Sequence, residues 1–226
     1  MGGGKLPVVG VVSGTGREGS ALALRLAQSG FRVVVGSRSQ ERAAEKAHEL
    51  ATVLRSVGLS PTLSGSVNSE VVRTVDLVFL SIPFAHVLET ARHLPFRPGT
   101  AVVDTSVPVV FHSGKAELVE VKRGSVTEEL RALIPAEVDL VGAFKTIPAR
   151  ILGDIDSDLD CDLFVCGDSE EAKNTVMQLS RSISDLRPID AGPLSSAGTL
   201  ERMAALAIQL NLRYKIKSAR FRVVGL

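Results

Sequence analysis

The sequence predicts an α/β fold: a doubly wound, mostly parallel sheet covered by helices, followed by a smaller C-terminal α+β portion. Three observations predict it. Short apolar runs alternate with helical patterns through the first 145 or so of 226 residues. The runs are continuous rather than alternating, which suits parallel strands buried on both faces. A glycine-rich segment separates the first apolar run from the first helical pattern, as at the head of a βαβ unit.

Each element has its own signal. Residues 7–12 (PVVGVV) form the first strand, and a helix with Leu22, Leu24, Leu26 and Ala27 follows and stops at Gly30. Residues 31–36 (FRVVVG) are a second buried strand, and residues 40–57, rich in Ala, Glu and Lys, a second helix. Strands are expected at 76–82, 100–104 and 138–143. Beyond residue 145 the spacing changes. Residues 162–166 (DLFVC) read as one more strand, and Asp168 with Glu171 three positions on reads as a capping box heading a helix. Residues 186–194 (LRPIDAGPL) read as a Pro- and Gly-punctuated connection, and 198–213 as an apolar helix. The expected organisation is a nucleotide-binding domain over 1–144 and a smaller portion over 145–226 that closes a cleft against it.

Composition narrows the function classes. The formal net charge is +1, so no bulk field points to nucleic acid or a membrane surface. The mean hydropathy of +0.22 is somewhat high, yet no apolar run approaches the length of a bilayer span, so the excess is assigned to buried strands. There is no Trp and a single Tyr, Tyr214, which disfavours a platform for stacking bases. The N-terminal Met1-Gly-Gly-Gly-Lys5 lacks the apolar core of a signal peptide. Cys161 and Cys166 lie five residues apart in an expected strand, so their side chains point to opposite faces. They are expected to be free thiols in a reducing cytoplasm. No His/Cys/Asp cluster has metal-ligand spacing. A homodimer is the base-rate expectation.

The segment Gly14-Thr15-Gly16-Arg17-Glu18-Gly19 matches G-x-G-x-x-G in the required context, after a strand and opening a helix. Gly14 permits the tight turn, Gly16 lets a pyrophosphate approach the backbone, and Gly19 lets helix and sheet pack closely. The helix N-terminus adds free N–H groups and partial positive charge. An acidic residue that would bond an NAD ribose is expected after the second strand; the sequence there reads Gly36-Ser37-Arg38-Ser39. Ser37 and Arg38 suit a 2′-phosphate, with Arg42 one helical turn along. The cofactor expected is therefore NADP(H), bound at least about tenfold more tightly than NADH if the guanidinium reads that phosphate.

Longer blocks carry a more specific likeness. They are LALRLA (Leu22 to Ala27), VVVGSR (Val33 to Arg38), LSIPFAHV (Leu80 to Val87), SVPV (Ser106 to Val109), FKTIPA (Phe144 to Ala149), VCGD (Val165 to Asp168) and LRPIDAGPL (Leu186 to Leu194). With these blocks the chain resembles the coenzyme F420-dependent NADP oxidoreductase family nearly end to end. The resemblance implies an oxidoreductase that moves hydride reversibly between NADP(H) and an 8-hydroxy-5-deazaflavin, coenzyme F420. It implies nucleotide contacts from Thr15 to Glu18, from Ser37, Arg38 and Arg42, and from Ile82, His86, Val107 and Ala149. It also implies a deazaflavin in the cleft near Phe221 of the basic tail Ala219-Arg220-Phe221-Arg222. Arg42 stands where a lysine is common, and the family's IPWEH reads Ile82-Pro83-Phe84-Ala85-His86 here.

Hydride transfer between two rings asks for alignment and dryness rather than acid–base help, so no catalytic side chain is expected. Ile82-Pro83 and Val107-Pro108 are expected to shape loops around the nicotinamide. His86 follows a strand's C-terminal end and could contact the cofactor or start a helix; Lys145 could touch an anion or be structural. His48, His93 and His112 are expected on the surface. Asp168 is expected to be a helix cap and not an acid catalyst. The alternatives are an NADPH-dependent flavin or ferric reductase, another small-molecule reductase on the same fold, and a non-enzymatic NADPH-binding protein.

Overall fold

The computed structural model describes residues 6–112 and 114–226; the Met1–Lys5 segment read for targeting lies outside the described residues. The nucleotide-binding half runs β1 (Val9–Val12), α1 (Arg17–Gln28), β2 (Val33–Ser37), α2 (Gln40–Ser56), β3 (Leu63–Val67), α3 (Asn68–Thr74), β4 (Leu77–Leu80), α4 (Phe84–Arg92) and β5 (Ala101–Asp104). There follow a hairpin of β6 (Val109–His112) and β7 (Lys115–Leu118), then α5 (Val126–Arg131) and β8 (Asp139–Gly142). The chain ends with α6 (Ala149–Leu152), β9 (Cys161–Gly167), α7 (Glu170–Arg181), β10 (Leu186–Asp190) and α8 (Ala197–Tyr214).

One eight-stranded sheet carries the fold, in the order β10-β9-β8-β5-β4-β1-β2-β3. From β3 to β8 every neighbouring pair is parallel. β9 then joins β8 antiparallel, and β10 joins β9 parallel. The order reverses between β1 and β4, the switch point where sheets of this class open a crevice beyond their C-terminal ends. The residues after 145 therefore extend the same sheet.

Because both faces are covered, successive strand residues serve two cores. Val9 and Val11 join Leu22, Leu26 and Phe79 on the α1 face, while Val12 joins Val71, Val78 and Leu80 on the α3 face. The apolar stretches carry no polar alternation because neither face meets water. Cys161 packs in the first core and Cys166 in a third cluster under Ala197 and Leu200 of α8; both are buried and free.

Three elements differ from expectation. Ser169, not Asp168, caps α7: its side chain accepts from Ala172 N, whereas Asp168 Oδ1 accepts from Leu194 N at 2.9 Å. The cap is one residue later because Asp168 is used to hold the turn that leads to α8. Residues 186–190 form β10, not a connection; Pro188 is compatible because β10 is the edge of the sheet. The polar LSGSV of β3 lacks an apolar signal, yet it is the opposite edge strand, only partly covered.

Glycines set two close approaches. A Cβ on Gly10 would fall 2.4 Å from Val71 Cγ1, so its absence lets α3 lie directly on β1. A Cβ on Gly65 would fall 2.2 Å from the backbone carbon of Ala43 in α2. Backbone cannot move aside as a flexible side chain can, so Gly65→Ala should cost about 3 kcal/mol. Ser64→Ala, on the exposed neighbour, should stay within about 0.5 kcal/mol; urea unfolding of both variants checks the pair.

Candidate functional site

Beyond the C-terminal ends of the strands lies a cleft of about 1310 Å³. That exceeds the volume usual for one small ligand, so two can share it. Its floor follows a simple rule of parallel sheets: the residue just after a strand faces the crevice. Ser13, Asn68, Ser81 and Thr105 each follow the last residue of β1, β3, β4 and β5, and all line the cleft.

The glycine turn is built as its sequence requires. Ser13 adopts a left-handed φ of 58° and its N–H donates to Asn68 Oδ1 at 3.1 Å. A Cβ on Gly14 would lie 2.8 Å from the Val11 carbonyl oxygen, and one on Gly19 2.7 Å from both Gly14 Cα and the Ser13 carbonyl oxygen. Gly16 differs: it is exposed to the cleft, and its nearest neighbour to an added Cβ is a single oxygen at 3.4 Å. Gly14 and Gly19 thus make the turn, while Gly16 leaves space on the ligand side. Thr15, Gly16, Arg17 and Glu18 face the cleft from the start of α1.

At the far end, Ser37, Arg38 and Arg42 come together over β2. Ser39 caps α2, accepting from Arg42 N at 3.3 Å, and Arg42 lines the cleft from the first turn of that helix. Ion pairs of the described residues engage other arginines and leave these two free. The opposite wall carries Ile82, Pro83 and His86 from the start of α4, Val107 from the loop after β5, and Ala149 with Arg150 from α6. His86 is exposed at the cleft edge, and its backbone N–H closes the helix's first turn on Pro83 O. His48, His93 and His112 are exposed elsewhere. Ser81 Oγ is buried, lines the cleft and has no hydrogen-bond partner among the described residues. An open cradle at Gly16, unpaired cations over β2 on one side of it and an orphaned hydroxyl at the end of β4 on the other fit a dinucleotide with an extra phosphate.

Phe221 is not among these residues. Its carbonyl accepts from Asp162 N at 2.9 Å, so the tail packs against the start of β9. Arg222 pairs with Asp160, and Arg187 holds both Asp162 and the Val223 carbonyl. The tail residues that do reach the cleft are Ile216 and Lys217, which follow the left-handed Lys215 at the end of α8. From α8 itself come Ala204, Ala207, Ile208 and Asn211.

Under the floor lies a buried charge cluster. Lys145 Nζ meets Asp104 Oδ2 at 2.7 Å, Ser106 O at 2.6 Å and Glu201 Oε1 at 3.3 Å. An ammonium has three protons, and these three acceptors use them all. Lys145 lines the cleft without a proton left for a ligand. Burial alone would lower its pKa, but Asp104 and Glu201 outweigh that and raise it, so it stays charged. Asp104 also accepts from Thr127 Oγ1 at 2.8 Å and from Ser106 N and Oγ, and Glu201 accepts from Val126 N at 3.1 Å. The backbone before Lys145 is turned inward by Phe144, a left-handed residue (φ 60°) locked edge-on against Phe79 at 5.5 Å.

A second rivet joins the lip of the cleft to its base. Buried Arg25, on α1, donates to the carbonyls of Ile151 and Leu152 at the end of α6 and of Asp154 just beyond it. The sequence pattern offered no signal for either Arg25 or Glu201, because both face inward from helices whose other inward positions are apolar.

Lys145→Met would leave two buried carboxylates without their cation and should cost about 3–5 kcal/mol. Burial already raises the Glu201 carboxyl while Lys145 pulls it down, so without the ammonium it rises further above its unfolded value. The folded variant then binds more protons than the unfolded chain, so its stability falls as pH rises through that window. Denaturant unfolding should therefore show a smaller deficit near pH 5 than near pH 8, with both values taken as about the two sides of that titration.

Residues 8–108 match the family model described as NADP oxidoreductase, coenzyme F420-dependent. The chain is 34% identical over 221 residues to the F420-dependent NADP reductase of Methanocaldococcus jannaschii, covering 96% of this chain and 98% of that protein. It is 29% identical to the F420-dependent NADP reductase of Methanothermobacter marburgensis, with the same coverage of each. Metalloreductase STEAP3 of Rattus norvegicus is 32% identical over 93% of this chain, but only 38% of that protein is spanned. Among solved structures, a proposed F420-dependent NADP-reductase from Arthrobacter sp. FB24 superposes with a TM-score of 0.79 at 24% identity, covering 97% of this chain and all of that one, a likeness of fold. On the near full-length match at 34% identity, this chain belongs to the coenzyme F420-dependent NADP oxidoreductase family.

Proposed function

We propose that this protein catalyses reversible hydride transfer between NADP(H) and coenzyme F420, with the dinucleotide across the glycine turn and the deazaflavin under α8. The observation that carries the reading is the pairing of a phosphate-reading end over β2 with a cleft wide enough for a second ring system. When bound together, the reduced nicotinamide supplies a hydride and the deazaflavin accepts it, or the reverse.

The residues divide the work. Gly14, Gly16 and Gly19 with Thr15, Arg17 and Glu18 would hold the pyrophosphate and the ribose beyond it; Ser37, Arg38 and Arg42 would hold the 2′-phosphate. Ile82, Pro83, His86, Val107 and Ala149 would frame the nicotinamide end. Ile208 and Ile216 give the second site an apolar cover that excludes water, while Arg150 and Lys217 suit an anionic tail. Residues 145–226 act as the portion that closes this side. No side chain needs to exchange a proton with carbon, so alignment supplies the rate. The free thiols Cys161 and Cys166 support operation in a reducing cytoplasm.

Purified protein mixed with NADPH and oxidised deazaflavin should bleach the deazaflavin's visible absorbance. Consumption of NADPH only with FMN or FAD would favour a flavin reductase instead, and no turnover with any acceptor would favour a binding protein. NADPH should bind at least about tenfold more tightly than NADH, a preference that Arg38→Glu abolishes because it replaces the cation with a repelling charge. Equal dissociation constants in the unmodified protein would sink the NADP assignment.

A further inference from the structure

The fifth residue of the glycine turn is an acid, and its place in the cleft is unusual. Glu18 sits in the first turn of α1, half-buried, and lines the cleft together with Thr105, Ser106 and Lys145. Strand order fixes what that position means. The dinucleotide's phosphate-marked adenosine end belongs over β2, and β4, β5 and β8 lie on the other side of β1. The groups around the Glu18 carboxyl come from those strands: the Thr105 hydroxyl and Asp104 from the end of β5, and Lys145 from beyond β8. Glu18 therefore reaches toward the nicotinamide end, not toward the pyrophosphate alone.

The buried cation beneath it is already engaged. Lys145 spends its three protons on Asp104, Glu201 and the Ser106 carbonyl, and those two carboxylates against one ammonium leave the cluster beneath Glu18 without spare positive charge. Around the rest of the cleft, the ionisable groups are His86 and Glu89 on α4, Arg150 on α6 and Lys217 after α8, with Arg17 exposed in the same turn as Glu18 and with Arg38 and Arg42 at the far end over β2. Burial pushes the Glu18 carboxyl up from 4.5 to about 7, with Thr105 and Lys145 pulling against that rise and Asp104 adding to it.

We propose that Glu18 selects the redox form of the bound cofactor: as a carboxylate it favours the cationic nicotinamide of NADP⁺, and as a neutral acid it favours uncharged NADPH. The two cofactors share every phosphate and differ in one positive charge on the ring. A carboxylate in a desolvated site near that ring distinguishes them, and a carboxylic acid does not. By linkage, NADP⁺ binding lowers the Glu18 pKa and expels a proton, while NADPH binding does not. The direction in which the enzyme works thus shifts with pH in the neutral range through ground-state binding, before any chemistry.

The inference rests on the NADP(H) reading and is tested by binding alone. Dissociation constants for NADPH, from its fluorescence, and for NADP⁺, from calorimetry, would be measured between about pH 5.5 and 8.5, a range that spans the carboxyl's titration. The ratio of the NADPH to the NADP⁺ constant should rise about tenfold across this range, with its midpoint near 7. Because 2′-phosphate titration affects both cofactors alike, it cancels in the ratio. Glu18→Gln should flatten the ratio, and His86→Asn should keep the rise. Calorimetry of the unmodified protein in buffers of different ionisation enthalpy should show proton release near pH 7 with NADP⁺ and not with NADPH, which needs no variant to fold. A ratio that does not change with pH, a rise retained in Glu18→Gln, or a rise lost in His86→Asn overturns the proposal. Failure of both cofactors to bind at any pH overturns the NADP(H) reading instead.

Discussion

The buried ammonium of Lys145 is the contact on which the site depends. It draws the loop after β5, the turn after β8 and helix α8 onto one point, and the N-terminus of α5 joins through Val126 and Thr127. These four pieces come from distant parts of the chain. Without a common cation, Asp104 and Glu201 would repel one another in a poorly solvated place, and the floor of the cleft would have no reason to close. The same contact gives the C-terminal residues their position: α8 can roof the cleft because Glu201 anchors it below.

Much of this arrangement was legible in the sequence, for identifiable reasons. The strands of the nucleotide-binding half announce themselves because a sheet covered on both faces must be apolar at every position. The glycine turn is readable because its spacing answers to steric demands, visible here as the 2.7 Å clash a Cβ on Gly19 would meet. Ser37 and Arg38 are readable because a preference for an extra phosphate needs an acid's absence and a cation's presence together.

Other parts were hidden in the sequence because what made them was tertiary. β3 and β10 are edge strands whose polar residues and proline suit an exposed margin, so they carry no apolar signature. Asp168 looks like a cap, but the turn at Leu194 recruits its carboxylate and passes the capping to Ser169. Phe221 reads from the resemblance as a wall of the second site, but its backbone is held at the start of β9, and the tail residues that line the cleft are Ile216 and Lys217. Asn68, Ser81 and Thr105 become visible only once the strand ends are known, since their role comes from being the next residue along.

The attachment of Arg25 to the carbonyls that end α6 limits how the molecule can breathe. The helix that begins at the glycine turn and the lip that bears Ala149 and Arg150 are stitched into one rigid block. Under the proposed arrangement, a bulky tricyclic guest would meet the other jaw, made by the β6–β7 hairpin and the end of α8. On the proposed reading, the grip on the nucleotide would thereby be mechanically separate from the side that meets its partner.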